Sequence, residues 1–450
     1  MRLRPWVGIL AGSTVLVGVL VKGVDDRYPW LWAYVADQLR PEPVQAAEGP
    51  IHVMFTFVDH FEPHDQPTMT RWMTGYPALA RSHRDADGKA PQHSWFWFFS
   101  QSNGAQSIDF LQQLARLAYD GFGEVELHLH HWNDSEQTFL EKSGRMIQLS
   151  RWTGALVTAE ATPRTAFGFI HGMWALDNSR HGEQCGVNNE ITLLRRLGCY
   201  ADFTHPSWGP MHPRIVNRLY YATDDPLRPK SYDRGAVMYR GTPASGDLLI
   251  FEGPSVVRWR GWRPTYDHGD VTMADRPTPE RLDAWIRTGI HVGGRPDWVF
   301  VKVFTHGAVA RDHDAVLGDW ADQMYRYLEQ HYNDGTRYVL HYVTAREAYN
   351  IAKAAEAGAQ GDPNLYRDFL IPPYVNRLMT ASVPYDVIRA GRDRTAVRFL
   401  APAGSRVAIR FRAPDVTISG DAEVIARTPS SLETAAVLLT QGEGLVEFHR

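Results

Sequence analysis

Between Ile51 and Val343 the chain alternates short apolar runs with segments of helical period. The runs are Ile51–Val58, Trp95–Phe99, Glu124–His130, Ala166–Ile170, Tyr200–Phe203, Leu248–Phe251, Trp298–Phe304 and Tyr338–Val343. Between them, Ala105–Tyr119 places Ile108, Leu111, Leu114 and Leu117 three apart, the spacing of one helix face. Leu193–Leu197, Pro279–Gly289 and Gly318–Gln330 have the same character. Strand-then-helix order over roughly 300 residues predicts an α/β fold, either a parallel sheet or a (β/α) barrel, here assigned to residues 51–365. After Asp368–Pro373 the pattern changes. Ala396–Leu400, Arg406–Phe411, Val416–Ser419, Ala435–Leu439 and Leu445–Phe448 are short β-like runs, which predict a small antiparallel β domain over 375–450.

Apolar residues make up 44% and charged residues 22% of the 450, as in a folded globular body. The net charge of -4 and the absence of a basic block exclude nucleic acid as a partner. Fifteen tryptophans and nineteen tyrosines suit a core, and equally a sugar-binding cleft. At the N-terminus Arg2 and Arg4 precede the uncharged run Pro5–Val21, and Lys22, Asp25, Asp26 and Arg27 follow it. This reads as a signal sequence or a membrane anchor over 1–24, with 25–50 as a juxtamembrane linker. No small-x-small site follows Val21. The expectation is therefore an uncleaved inner-membrane anchor with the body in the periplasm; a secreted body or a buried N-terminal helix are the alternatives. Cys185 and Cys199, fourteen apart, suit either a disulfide outside the cytoplasm or two free buried thiols.

Ligands of parallel α/β folds bind beyond the carboxyl ends of the strands. Polar clusters stand at several of those ends: Asp59, His60 and Glu62; His128, His130 and His131; His171; Asp202 and His205; and His306. A histidine alone is as often a hydrogen-bonded structural residue, but five clusters at equivalent places form a convergent set. Residues i and i+2 of a strand share a face, so His128 and His130 point together and His131 points away. Two imidazoles and a carboxylate, taken as Asp59, make a ligand set for zinc or another divalent metal. The polar, glycine-rich segment His171–Glu190 is expected to shape the cleft, with His171 and Asp177 lining it. Trp174 is a wall of a sugar pocket or a core residue, and Glu183 and Cys185 are weaker candidates. His52, His64 and His93 are left as structural.

These residues resemble the polysaccharide deacetylase superfamily, in a divergent deacetylase-like branch, over about residues 50–350. Its members use an irregular (β/α) barrel and a divalent metal to remove acetyl groups from N-acetylated sugars. The first motif, Thr-Phe-Asp-Asp, is matched by Thr56-Phe57-Val58-Asp59, which implies Asp59 as a metal ligand. It also puts Val58 where the family has its catalytic base, so Glu62 is taken as the substitute. The two metal histidines of the second motif correspond to His128 with His130 or, in its place, His131. The Arg-x-Pro-Tyr motif is not recognisable, and Phe167–Trp174 occupies its place. The terminal strand with its acid histidine corresponds to Val303–His306, which implies His306 as the proton donor to the leaving amine. The resemblance thus implies a zinc-dependent deacetylase with metal ligands Asp59, His128 and His130 and His306 as a catalytic residue, to which the reading of the strand end and the loop adds Glu62 and Asp177 as catalytic candidates. It acts on an N-acetylated polysaccharide or oligosaccharide, alongside envelope polysaccharide assembly proteins. A glycoside hydrolase on a related barrel and a non-catalytic glycan-binding relative are the competing readings.

Overall fold

The computed structural model describes residues 22–39, 49–99, 104–160, 162–391 and 393–450. The first strands are β1 (Ile51–Phe61), β2 (His93–Phe98), β3 (Gly123–Leu129), β4 (Phe167–His171), β5 (Cys199–Asp202) and β6 (Leu219–Ala222). They are followed by β7 (Gly235–Val237), β8 (Leu248–Phe251), the hairpin β9 (Val256–Arg260) and β10 (Arg263–Asp267), β11 (Trp298–Thr305) and β12 (Tyr338–Tyr342). All but the hairpin form one ten-stranded sheet in the order β11-β1-β2-β3-β4-β5-β8-β6-β7, with β12 also on β1. β1 is its centre. One edge pairs with β11 from His52 to Asp59. The other pairs with β12 over Ile51–Phe55 and then with β2 over Phe57–Phe61. The ladders from β12 and β11 through to β8 are parallel, and β6 and β7 are antiparallel.

The expected mixed α/β fold with a parallel sheet is present, but the described ladders do not close it into a barrel. Side chains reach across instead. The Lys302 amine of β11 donates to the Phe203 carbonyl at 2.7 Å, and to that of His205, both beyond β5.

Both faces of the sheet are covered, which explains the continuous apolar runs. Val53, Phe55, Phe57 and Phe61 of β1 pack with Trp72 and Tyr76 from the helix Gln66–Ala80 and with Leu111 and Leu114 from Gly104–Tyr119. Met54 and Val58 face an inner cluster with Phe96, Ile170, Phe203, Phe251, Phe300 and Phe304. Each such fully buried side chain contributes about 1.5–3 kcal/mol.

The tail carries β13 (Met379–Ala381), β14 (Tyr385–Ala390), β15 (Arg394–Phe399), β16 (Arg406–Phe411), β17 (Thr417–Gly420), β18 (Ala422–Pro429), β19 (Thr434–Thr440) and β20 (Leu445–His449). Two four-stranded antiparallel sheets, β13-β16-β19-β18 and β14-β15-β20-β17, enclose Val397, Phe399, Val407, Phe411, Leu438 and Phe448. This sandwich is pinned to the body. The Tyr385 N–H donates to the Trp152 carbonyl at 2.7 Å, and Arg410 meets Asp120 at 3.0 Å.

The N-terminal expectation is corrected. Among the described residues no helix is long and apolar enough to cross a membrane, so the inner-membrane anchor and the periplasmic placement built on it are withdrawn. The run Pro5–Val21 lies outside the described residues. The segment taken as a juxtamembrane linker is instead partly docked on the body. Trp30 is buried and stacks on Tyr266 with ring centroids 4.3 Å apart. Asp25 receives both guanidinium N–H groups of Arg214, at 2.9 and 2.8 Å, and Arg218 meets Asp37 at 2.6 Å. The helix Leu31–Leu39 has nine residues, about 14 Å of rise, and carries Asp37.

Candidate metal centre

Strand alternation decides which polar residue at the end of β1 faces where. Asp59 shares the outer, helix-covered face with Phe57 and Phe61. One of its carboxylate oxygens lies 3.0 Å from His93 Nε2, and the other accepts the Gly307 N–H at 2.7 Å. Trp72 donates its indole N–H to the Gly307 carbonyl at 2.8 Å. Asp59 therefore secures the loop after β11 and stands apart from the Glu62, His128 and His130 ligand atoms. His60 faces inward. Its ring centroid lies 4.8 Å from that of His128 and 4.5 Å from that of His306. Burial holds the His60 pKa well below its ordinary value, and His306 is shifted the same way by the same cause.

Beyond the end of β1 the carboxylate of Glu62 takes the place expected for Asp59. Its Oε1 lies 3.0 Å from His128 Nε2 and 3.2 Å from His130 Nε2, and the two nitrogens are 3.0 Å apart. His128 Nδ1 lies 2.9 Å from the Ile170 carbonyl. A carbonyl only accepts, so that nitrogen carries a proton, and Nε2 is the ring atom turned to Glu62. Burial alone would push the Glu62 carboxyl up, but hydrogen bonds from His128 and His130 hold it well below the usual carboxylate range. Burial lowers His130. A carboxylate and two imidazoles converging on one point are the donor set a divalent cation takes. The set is accessible, since the Glu62 and His130 side chains are partly exposed. Trp174 stands 6.0 Å from His306 and 5.9 Å from His60, ring to ring. The half-exposed Trp132 lies 5.9 Å from His130.

His131, pointing the other way, belongs to a second group with His171, Cys185 and Glu190, all four buried. His131 Nε2 lies 3.1 Å from Glu190 Oε1 and 2.8 Å from His171 Nε2. Cys185 Sγ lies 3.5 Å from Glu190 Oε2. This cluster can coordinate a divalent ion. Both cysteines are free thiols, so no disulfide links them.

The remaining candidates sit elsewhere. Asp177, expected to line the cleft, is buried with its Oδ2 accepting the Ser231 N–H at 2.6 Å, and its own N–H donates to Glu190 at 2.7 Å. Burial pushes its carboxyl up to about 8, and its bonds to Ser231 and Glu190 make it a support of the loop. Asp202 accepts both the N–H and the hydroxyl of Thr204, and His205 packs on Tyr232. Glu183 is exposed. Sequence reasoning placed His128, His130 and Glu62 at the site. It missed the Glu190 cluster, because the four residues approach only through the fold of the loop. Trp132, directly after His131, carried no assignment from the sequence.

No protein-family model matches the chain, and no curated protein matches it. What the fold and site define is a mixed α/β protein with metal-binding capacity. Any narrower assignment rests on the site.

Proposed function

We propose that the protein is a metal-dependent hydrolase that removes N-acetyl groups from a polysaccharide or oligosaccharide, on a curled sheet of the deacetylase barrel kind. The observation that supports this is the convergence of Glu62, His128 and His130 at a strand-end mouth beside His306. Glu62, His128 and His130 would hold the metal. Zinc suits two imidazoles and one carboxylate with room for further ligands. Such an ion, when bound, lowers the pKa of water and polarises an acetamide carbonyl.

With Glu62 in the ligand set, the proton-moving role passes to imidazole. His306 lies at the mouth, and burial lowers its pKa. It takes a proton from the attacking water as the new C–O bond forms, then returns it to the amine nitrogen as the C–N bond breaks. His60 packs against both His306 and His128 and keeps the first oriented. Trp174 and Trp132 offer aromatic faces to a sugar ring. The glycoside hydrolase alternative needs two carboxylates facing each other across a bond. Asp59, Asp177 and Asp202 are each held by their own buried hydrogen bonds, so no observation favours it.

The test is acetate release from N-acetylated oligosaccharides by the metal-loaded protein, repeated with chelator and with His306→Ala. Chelator-sensitive release that falls at least about 100-fold in the variant is expected. No acetate from a broad panel of substrates, with the metal shown to be bound, would overturn the reading. Cleaved glycosidic bonds in its place would favour the glycoside hydrolase.

A further inference from the structure

We propose that His131, His171, Cys185 and Glu190 form a second, structural metal site, of zinc type by its ligand chemistry, which fastens the loop His171–Glu190 and fixes His130 from behind. The inference stands whatever reaction the open site performs.

Three observations carry it. The first is closure. All four side chains are buried, one ligand atom from each lies within 4.8 Å of the others, and together they supply two nitrogens, a sulfur and an oxygen. Four protein ligands with no open position is the character of structural zinc sites, whereas three ligands and an opening characterise reactive ones. The open Glu62 set and this closed set therefore differ in kind.

The second is the proton inventory. His131 Nδ1 lies 3.0 Å from the Asp134 carboxylate, which also binds Lys142, and His171 Nδ1 lies 2.6 Å from the Gly172 carbonyl. Both Nδ1 atoms therefore donate outward, the arrangement that orients metal-bound histidines. That leaves the two Nε2 atoms facing each other at 2.8 Å with Glu190 Oε1 at 3.1 and 3.4 Å. Sulfur completes the picture. The N–H groups of Asn178 and Val187 point at Cys185 Sγ from 3.3 and 3.5 Å and hold the sulfur in place beside Glu190. The thiol itself lies 3.5 Å from Glu190 Oε2, and a metal bound between them would take the place of its proton.

The third is what the cluster holds in place. The loop turns through positive φ at Met173, Trp174, Asp177, Asn178, His181 and Gln184. Such backbone is strained for residues other than glycine and persists only where the surroundings impose it. Gly186 passes so close to Asp134 that a Cβ would lie 2.5 Å from the Asp134 carbonyl oxygen. At Gly172, directly after His171, a Cβ would lie 2.4 Å from the His130 ring. Fastening His131 and His171 thus sets the backbone on both sides of His130, and the same loop carries Trp174 to the mouth.

The test uses the full chain, stripped of metal and titrated with Co²⁺, then with Zn²⁺. The wild type is expected to bind two equivalents, with one tetrahedral cobalt spectrum carrying a thiolate charge-transfer band. Glu62→Ala should keep that band and lose one equivalent. Cys185→Ser should lose the band. Because Cys185→Ser can fail to fold, thiol alkylation of the wild type is read by mass spectrometry in parallel. Zinc should slow modification of Cys185 at least about tenfold, with Cys199 as the internal reference. A wild-type protein that binds cobalt without a charge-transfer band, or whose Cys185 is alkylated equally with and without zinc, overturns the site. These readouts are independent of acetate release, so failure of the deacetylase reading leaves them unchanged.

Discussion

Asp59 and Glu62 are three residues apart and do different work. Asp59 braces Gly307 from the helix-covered face, and Glu62 joins His128 and His130 at the opening. Glu62→Ala is therefore expected to weaken metal binding by more than the ~10–100-fold typical of a lost supporting partner. Asp59→Asn should keep the metal and cost about 1–3 kcal/mol through the disturbed Gly307 and His93 bonds. Zinc competition with a chromophoric chelator, alongside denaturant melts, separates the two, and metal loss in Asp59→Asn would return Asp59 to the ligand set. Gly172 makes the same point from the other side. Gly172→Ala puts a methyl where the His130 ring stands. It should weaken binding at the Glu62 set while the far-ultraviolet dichroism stays that of the wild type. Unchanged affinity would show that the ring has room to move.

At the scale of the element, the helix Ala345–Glu356 shows how a local signal is reused. Thr344 and Glu347 form its capping box, a local signal that needs no tertiary contact. In the fold the Glu347 carboxylate also takes an Arg367 N–H at 2.8 Å, in a network with Asp85 and Asp87. Burial pushes this carboxyl up, but Arg367, Lys89 and their neighbours outweigh it and lower it from 4.5 to about 2. Its stabilisation is then present above pH 4.5 and lost as pH falls through about 2. Glu347→Gln should lose about 3–5 kcal/mol at neutral pH, the cost of leaving a buried charge without its partner. It should also show a flatter stability profile on the acid side. Parallel profiles for the two proteins in urea melts from pH 7 to pH 2 would contradict this.

At the scale of the molecule, the tail sandwich and the segment 22–39 are both held against the α/β body. The tail sandwich is fixed through Tyr385 and Arg410, and the N-terminal segment through Trp30, Asp25 and Asp37. Trp30→Ala should remove about 3–5 kcal/mol of docking. Hydrogen exchange should rise over residues 22–39 and stay constant in β1–β5. Exchange unchanged over 22–39 would mean that the two ion pairs suffice.

Much of this architecture is written locally. Continuous apolar runs at helix-spaced intervals specify a sheet buried on both faces, and they specify it without reference to the rest of the chain. The same runs, read to their ends, mark where chemistry gathers, so Glu62, His128, His130 and His306 were legible as strand-end residues. The pairing of carboxylate with imidazole was not. Thr56-Val58-Asp59 suggests a ligand at Asp59, but the pleat turns that side chain to the helices, and only the chain's path past Phe61 brings Glu62 back to the histidines. His131, His171, Cys185 and Glu190 span sixty residues of sequence and no local period relates them. Their meeting depends on a β3–β4 ladder that sets Leu129 against His171 and on a loop that folds back over it. Periodicity is a property of neighbours along the chain, and so sequence alone determined most of the parallel strands and the strand ends at which the histidines gather. Distance between remote side chains is a property of packing, and so only the tertiary structure decided which of them meet.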